Sequence, residues 1–241
     1  MYNKNGINDP NYGHEIPFTH ADYGDVTFNK SPFLTEWVDK YIDGEVKTIL
    51  DIGALDGGDS LRFNSWYPNA EVFAIEGSPH NFDVLNKKLG VRKNLKTFNY
   101  VMSDKNGMVD FHRTVYDDKM SDTGYMVMGT IYTLKESKIR QHNLRSVDSV
   151  RVESVSFDTF CEMNGITEVD VAHVDIEGAS YDMVMGMNKV LPKLIFMEQE
   201  GSEFFTDKLT GGNVELKKLM TEKGYDLVLD MGNDFLYVKK D

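Results

Sequence analysis

The stretch TILDIGALDGGDS, residues 48–60, decides the fold of this chain. The apolar run TILDI predicts a short buried strand, and the DGG that follows predicts a tight turn. Asp51 lies at the carboxyl end of that strand, and Gly53 lets the backbone approach a ligand closely. Gly57 admits dihedral angles that other residues avoid, and Ser60 fits the first turn of a helix. This order of strand, acid, glycine turn and helix predicts a Rossmann-like sheet with a nucleoside site.

A second acid narrows the kind of nucleoside site. The segment EVFAIEGSPHNFDVL, residues 71–85, again predicts strand, acid, turn and helix, and Glu76 lies 25 residues after Asp51. A carboxylate at this position commonly binds the ribose hydroxyls of a nucleotide. An NAD site needs the spacing G-x-G-x-x-G, whereas here three residues separate Gly53 from Gly57. The spacing therefore favours a ligand without a pyrophosphate, such as S-adenosylmethionine (SAM); a glycine turn without any ligand is the alternative.

Length and composition favour a single domain. The chain has 241 residues, of which 41% are hydrophobic, enough to bury a substantial core. The single cysteine, Cys161, excludes a disulfide framework and a zinc cluster and favours packing over nucleophilic catalysis. No apolar run approaches the roughly 18 residues of a membrane span, and the polar start MYNKNGINDP does not fit a signal peptide. We therefore expect a soluble, intracellular, cytoplasmic protein.

The charge of the chain is acidic but unevenly distributed. A formal net charge of −13 disfavours broad binding to nucleic acid, which needs a positive surface. Residues 85–145 nevertheless carry 12 Lys and Arg against 6 Asp and Glu, a local balance of +6. Two interpretations stay open, a solvated surface or a binding site for an anionic small-molecule substrate. The sequence makes no prediction of an oligomeric state.

The rest of the chain alternates strands and helices. Residues 1–45 predict an extended arm and a helix at 32–42 that packs on the core, and residues 46–241 form the main domain. Further helices are predicted at 59–66, 79–89, 157–164, 180–188 and 213–222, and strands at 71–75, 150–157, 169–175 and 191–200. Residues 95–112 predict two strands about a turn, and 224–240 a hairpin about Gly232 and Asn233. Such a pattern predicts a mostly parallel α/β sheet with one reversed strand at or near its edge.

Residues 113–149 interrupt this alternation. They contain Met120, Met126 and Met128 and a polar helix candidate at 132–142. An insertion of this length without a core of its own is typical of a lid or a substrate-binding element. Methionines that fill gaps in packing are an equally good explanation of the composition.

Taken together, several segments resemble the FkbM family of SAM-dependent methyltransferases. They are DIGALDGG, FAIEGSPHNFDVL, MSDKNGMVDF, VDVAHVDIEGAS, LIFMEQE and NDFLYVKK. The resemblance covers about residues 46–240 and is weakest in the insertion. It implies the class I methyltransferase fold, a Rossmann-like, mostly parallel seven-stranded sheet with helices on both faces and an antiparallel C-terminal strand. It also implies SAM as cofactor, S-adenosylhomocysteine (SAH) as its product, and O-methylation of a hydroxyl on a sugar, nucleotide sugar or similar metabolite.

The resemblance also implies a set of cofactor-binding residues. These candidates are Asp51, Gly53, Ala54, Gly57, Ser60, Glu76, Gly77, Ser103 and Asp104. By the resemblance, the first acid and its glycine turn shape the methionine end of the SAM pocket. Glu76 binds the ribose, and Ser103 with Asp104 borders the adenine.

A later segment supplies the candidate catalytic residues. Asp175 and Glu177 fall on the K-x-D-x-E-G-x-E segment of the family, beside the reacting methyl group; His173 replaces its lysine and Ser180 its second glutamate. Methyl transfer to a hydroxyl needs in-line alignment and a group that takes the hydroxyl proton. We rank Asp175 first as this base, because strand ends beside the switch point direct side chains into the cleft. Glu177 and His173 follow, with a helix cap and a core histidine as their alternative roles.

Three alternatives stay open. Acid pairs such as Asp175 with Glu177, or Glu198 with Glu200, suit Mg²⁺, but the sequence fixes no ligand set and we expect no metal. An NAD-linked oxidoreductase is disfavoured by the glycine spacing. A SAM-binding or nucleotide-binding module without catalysis is disfavoured by the acids that cluster at strand ends.

Overall fold

The computed structural model describes residues 18–20, 24–26, 31–116, 128–141, 143–199, 205 and 212–240. Within them the chain forms thirteen strands and seven helices. The strands are β1 (Phe18–His20), β2 (Gly24–Val26), β3 (Thr48–Ile52), β4 (Glu71–Ile75), β5 (Leu95–Phe98), β6 (Val101–Ser103), β7 (Gly107–Tyr116), β8 (Met128–Thr130), β9 (Leu144–Ser156), β10 (Val171–Val174), β11 (Leu194–Glu198), β12 (Tyr225–Asp230) and β13 (Asp234–Lys239). The helices are α1 (Thr35–Tyr41), α2 (Gly58–Trp66), α3 (Pro79–Leu89), α4 (Glu136–Gln141), α5 (Phe157–Met163), α6 (Ser180–Met185) and α7 (Asn213–Glu222).

Seven of the strands form one central sheet, in the order β12, β13, β11, β10, β3, β4, β5. Neighbouring strands from β11 to β5 run parallel, whereas β13 is antiparallel to both β11 and β12. The hairpin of β12 and β13 turns at Gly232, whose φ of 98° lies in the left-handed region that favours glycine. The structure confirms the predicted mostly parallel, seven-stranded sheet with its antiparallel C-terminal strand.

Helices cover both faces of the central sheet. Successive strand residues point to opposite sides, so each strand supplies apolar side chains to a cluster on each face. On one face, α1, α2 and α3 pack against strand residues such as Ile49 and Phe196. On the other face, α5, α6 and α7 pack against residues such as Leu50 and Met197. Cys161 lies in this second cluster, where burial raises the pKa of its thiol to about 12. The thiol therefore stays protonated, which suits a packing role.

The residues before the central sheet contribute a small hairpin and one helix. β1 pairs antiparallel with β2, a pairing that the sequence pattern did not predict. The rest of the predicted arm at 1–30 lies outside the described residues. Val38 of α1 is buried in the cluster on the α2 and α3 face. Among the described helices, none is long and apolar enough to cross a membrane.

A second sheet of four strands, in the order β6, β9, β7, β8, differs from the prediction. The strand expected from residue 95 onward is divided, because β5 stays in the central sheet whereas β6 joins the second one. Asn99 lies at the division, and its side-chain amide donates to the backbone carbonyls of Glu76 at 2.7 Å and Gly77 at 3.2 Å. These bonds occupy the carbonyls beyond β4 and end the pairing of β5 there.

Most of the described part of the predicted insertion at 113–149 belongs to this second sheet. β7 and β9 pair antiparallel as far as Tyr116 and Leu144, so both strands extend into the expected insertion. The predicted helix at 132–142 is the shorter α4. Residues 145–149 are exposed on both faces of β9, so the apolar alternation that identifies a strand is missing there. Residues 117–127 lie outside the described part of the chain.

Candidate active site

A cavity opens at the carboxyl ends of β3, β4 and β10, the edge at which open α/β sheets bind ligands. Its lining comprises Ile52, Gly53, Leu55, Glu76, Gly77, Asn81, Tyr100, Val101, Met102, Phe111, Gly129, Ile131, Asp175, Ile176, Glu177 and Ala179. All charged members of this described lining are acids, and none is basic. The cavity therefore favours cationic over anionic groups.

The turn after β3 packs against the end of β10. Gly53 adopts a φ of 89°, and its N–H donates to the carbonyl oxygen of Ile75 at 2.8 Å. A methyl group at this position would overlap the backbone carbonyl of Asp175. The predicted close approach at Gly53 is thus an approach of one backbone to another, and it brings the Asp175 turn to the edge of the cavity.

Glu76 lies just after β4 and is only 5% exposed. Its two carboxylate oxygens accept hydrogen bonds from the backbone N–H groups of Leu55 at 2.9 Å and Ser78 at 2.7 Å, and the side chain of Asn81 donates a third. Burial raises the pKa of Glu76 to about 7, although these hydrogen bonds favour the ionised form. Because a carboxylate has about four acceptor sites, about one remains for a ligand hydroxyl.

Asp51 and His173 form a buried pair next to the cavity, but neither lines it. They are register partners on the parallel strands β3 and β10. Nδ1 of His173 donates to Asp51 at 2.8 Å, and the Ser60 hydroxyl donates to the other carboxylate oxygen. Burial lowers the pKa of His173, but the hydrogen bond with Asp51 and the nearby acids outweigh burial and raise this pKa to about 9. His173 is 2% exposed, and its Nδ1 is engaged by Asp51, which does not suit a general base.

Asp175 and Glu177 line the cavity just after β10. The backbone turns sharply here, with φ values of 50° at Glu177 and 89° at Gly178. Glu198, at the end of the neighbouring β11, faces Asp175 and Asp234. Burial, followed by the negative charges of these two residues, raises the pKa of Glu198 to about 8. Glu198 therefore carries a proton at neutral pH and shares a hydrogen bond with Asp175.

The second sheet is fastened to the turn after β10. Thr130, 1% exposed, donates its hydroxyl hydrogen to the backbone carbonyl of Glu177 at 2.7 Å. Tyr132 donates its hydroxyl hydrogen to the carboxylate of Asp182 on α6 at 2.5 Å. Thr130 and Tyr132, both within the predicted insertion, therefore fix the turn after β10 and the start of α6. This turn carries the candidate bases Asp175 and Glu177.

Some predicted cofactor-binding residues have other positions. Gly57, with a φ of 86°, precedes α2, and a methyl group there would lie 2.7 Å from Cγ of Leu89. Gly57 therefore permits α2 and α3 to pack closely and does not line the cavity. Ala54 is buried outside the lining, and its N–H donates to the carbonyl of Ile75 at 3.0 Å.

Ser103 and Asp104 are also outside the lining. Ser103 is buried on β6, where its hydroxyl oxygen accepts a hydrogen bond from Ser154 at 3.1 Å, and Asp104 is exposed. Residues 100–102 line the cavity in their place. The chain leaves the central sheet at Asn99, so the predicted pair lies beyond the part that faces the cavity.

Several lining residues were not predicted. The N–H of Leu55 and the side-chain amide of Asn81 both donate to Glu76. The Ser-Pro pair at the start of α3 predicted a helix, but it did not indicate that Asn81 contacts Glu76. Phe111, Gly129 and Ile131 come from the second sheet or the residue after it. Their positions depend on pairing between distant strands, which residue spacing does not encode.

The described residues contain no group of three or more His, Cys, Asp or Glu side chains that could hold a metal ion. Glu200, a member of one predicted magnesium pair, lies outside the described residues. The expectation of a metal-free site stays a prediction.

Comparison with known proteins agrees with this geometry. Residues 51–227 match the family described as the methyltransferase FkbM domain, and this range includes the whole lining of the cavity. This chain belongs to the FkbM methyltransferase family. It is therefore a SAM-dependent methyltransferase, and the sequence resemblance to FkbM enzymes is confirmed.

Two methyltransferases of known name are similar in sequence to this chain. The 2-O-methyltransferase NoeI of Sinorhizobium fredii is 28% identical over 172 residues, which cover 71% of this chain and 69% of NoeI. Methyltransferase sdnD of Sordaria araneosa is 21% identical over 197 residues, which cover 76% of this chain and 74% of sdnD. Among solved structures, the precorrin-6y C5,15-methyltransferase of Geobacter metallireducens gives a TM-score of 0.43 at 11% identity, over 84% of this chain and 86% of that one. The class I fold is assigned from strand order and the family match.

Proposed function

We propose that this FkbM methyltransferase transfers the methyl group of SAM to a hydroxyl oxygen of a small metabolite, such as a sugar or a nucleotide sugar. The observation that carries the proposal is the cavity at the ends of β3, β4 and β10. Glu76, Asp175 and Glu177 all line this cavity. Glu76 can accept a hydrogen bond from a ribose hydroxyl, and Asp175 or Glu177 can take the proton of the acceptor hydroxyl. The name of NoeI, a 2-O-methyltransferase, supports oxygen as the accepting atom.

The residues present fit such a donor. Bound SAM supplies a methyl group on a positively charged sulfonium. The acids of the described lining favour that charge, and Glu76 retains an acceptor site for a ribose hydroxyl. A methyl group at Gly77 would lie 2.9 Å from Cγ2 of Val101, so the bare backbone at Gly77 lets Val101 pack closely at this wall of the cavity. We assign Gly53, Glu76 and Gly77 to donor binding. The hydrogen-bonded pair of Asp51 and His173 lies outside the lining, and we assign it the role of holding β3 and β10 in place beside the cavity.

Asp175 is the general base in this proposal. It lines the cavity at the end of β10 and shares a hydrogen bond with Glu198, whose raised pKa favours the protonated form of Glu198. From this position Asp175 can take the hydroxyl proton of the acceptor and contribute about 10²–10⁴ in rate. Glu177, on the same turn, is the alternative base. His173 is less suited, because its Nδ1 binds Asp51 and the ring lies outside the lining.

The described lining favours a neutral acceptor over the anionic one suggested by the positive balance of residues 85–145. Several basic residues of that segment are held in ion pairs, namely Lys88 with Asp56, Lys96 with Glu71 and Arg113 with Asp148. None of these residues lines the cavity as described. We therefore propose a neutral hydroxylated group at the reacting end, with any anionic group of the acceptor outside this lining.

Ligand-dependent melting and methyl transfer test the proposal together. A ligand at 100 times its Kd stabilises the folded state by about 2.7 kcal/mol, so SAM and SAH should raise the melting temperature and NAD should not. SAM with a labelled methyl group should then label a hydroxyl within a panel of neutral and phosphorylated sugars. Stabilisation by NAD would favour the oxidoreductase alternative. Binding of SAM without transfer to any acceptor in the panel would favour a module without catalysis.

A further inference from the structure

One wall of the cavity comes from the second sheet. Phe111, on β7 opposite Val150 of β9, lines the cavity and is 7% exposed. It belongs to a small apolar cluster with Val101 and Val152. A phenyl ring from β7 thus borders a cavity that lies mainly at the ends of central strands.

Two glycines enclose the tip of the Phe111 ring. A methyl group at Gly129, on β8, would lie 2.6 Å from Cζ of the ring, and a methyl group at Gly77 would lie 3.2 Å from Cε2. Carbon atoms in favourable contact stay about 3.5–4.0 Å apart, so neither position accepts a side chain while the ring keeps its place. The ring tip therefore contacts bare backbone from β8 and from the turn after β4.

Hydrogen bonds hold the backbone of Glu76 and Gly77, next to the Phe111 ring. Glu76 is the residue that we propose binds the ribose. Glu76 directly precedes Gly77, and the Asn99 amide donates to the backbone carbonyls of both residues. Glu76 is held from the other side by the N–H groups of Leu55 and Ser78. The proposed ribose ligand and the contact point of the ring thus lie on adjacent, hydrogen-bonded residues.

We infer that Phe111 forms the aromatic wall of the adenine subsite and determines how tightly the donor binds. The inference rests on the proposed function, in which Glu76 binds the ribose of SAM. In a nucleoside the base is bonded directly to the ribose, so a base on a ribose at Glu76 lies near Gly77 and the ring tip. The ring and the neighbouring Val101 offer an apolar surface to the flat face or the edge of a purine. The acids Asp175 and Glu177 come from a different strand end, after β10.

Calorimetry with SAH and with adenosine tests this inference. Loss of a base–aromatic contact on alanine substitution typically weakens binding by about 5- to 150-fold. Phe111→Ala should therefore weaken SAH and adenosine by the same factor, within this range. Equal factors are expected because the two ligands share the adenosine half.

Val152→Ala is the matched control. Val152 is buried in the same cluster as Phe111 but does not line the cavity. This variant should lower the melting temperature and leave the Kd of SAH unchanged.

Gly129→Ala is an independent variant that keeps the phenyl group. The added methyl group must displace the ring tip, and we expect SAH to bind about tenfold more weakly. In a Phe111→Leu background, which lacks the ring tip, the same Gly129→Ala change should have a much smaller effect, because the two positions are coupled through their contact.

The possible results are distinguishable. SAH binding that is unaffected by Phe111→Ala in a folded variant would overturn the inference and leave the proposed function intact. An equal loss in Val152→Ala, or a loss for SAH but not for adenosine, would also overturn it, because the ring would then act through sheet stability or at the methionine end. Failure of the wild-type protein to bind SAH would overturn the proposed function, and this inference with it.

Discussion

Replacing Glu76 by glutamine tests the proposed ribose site with little change in size. The two carboxylate oxygens of Glu76 accept hydrogen bonds from the N–H groups of Leu55 and Ser78. Glutamine has one carbonyl oxygen, so one of these buried donors would face an NH₂ group. An unsatisfied buried donor costs about 1–3 kcal/mol, and in a chain of this size each kcal/mol lowers the melting temperature by about 2–4 °C. We expect Glu76→Gln to fold and to melt roughly 2–12 °C below the wild type.

The same substitution should weaken donor binding. A hydrogen bond from a ribose hydroxyl to an ionised carboxylate contributes about 1.5–3 kcal/mol, which corresponds to a roughly 10- to 150-fold weaker Kd for SAH in Glu76→Gln. Because burial raises the pKa of Glu76 to about 7, its ionised fraction increases from about one tenth at pH 6 to about nine tenths at pH 8. If the ionised form binds the ribose, the affinity of the wild type for SAH should rise up to about tenfold over this range.

Isothermal titration calorimetry with SAH at pH 6, 7 and 8 measures both effects. Glu71→Gln is the matched control, because Glu71 is an acid at the other end of β4, half exposed and paired with Lys96 at 2.9 Å. The control should bind SAH like the wild type and show the same pH dependence. Equal SAH affinity in Glu76→Gln and wild type, or the same pH dependence in both, would refute the assignment of Glu76 to the ribose.

Three further predictions concern the reacting end of the cavity and the stability of the fold. Asp175→Asn keeps the shape and removes the basicity, so turnover should fall by about 10²-fold or more while the Kd of SAH changes little; near-normal turnover would transfer the role to Glu177. Thr130→Val removes the hydroxyl that holds the Glu177 carbonyl, so kcat should fall by about tenfold and recover in Thr130→Ser, whereas no recovery would indicate a packing effect. The raised pKa of Glu198, about 8, means that the folded state binds more protons than the unfolded state from about pH 4.5 to 8. Its stabilising contribution is therefore present below pH 4.5 and lost as pH rises through 8, so the melting temperature should fall from pH 6 to 9, less steeply in Glu198→Gln.

Local sequence signals predicted the elements that carry most of the site. The helix bounds 79–89 and 213–222 agree with α3 and α7, because each helix begins at a clear turn or capping residue. The acids Glu76 and Asp175 were identified because each follows an apolar strand, and both line the cavity. These features depend on residues close together in the chain, where patterning is informative.

Local sequence patterns did not predict the contacts between strands that are far apart in the chain. Asp51 and His173 are 122 positions apart, and only the register of β3 with β10 brings their side chains into contact. In the proposed mechanism, that contact makes His173 less suited than Asp175 to act as the base. Phe111 and Gly129 meet through the pairing of β7 with β8, whose strands are joined by residues outside the described part of the chain. Long-range pairing of this kind is set by the whole fold and not by local spacing.

A crystal structure of the protein with SAH tests the central claim most directly, namely that the donor binds in this cavity with its ribose at Glu76. We expect a ribose hydroxyl within about 3.2 Å of the Glu76 carboxylate, the adenine against Phe111, and the sulfur on the side of Asp175. SAH bound elsewhere, or bound in the cavity with its ribose away from Glu76, would contradict the claim.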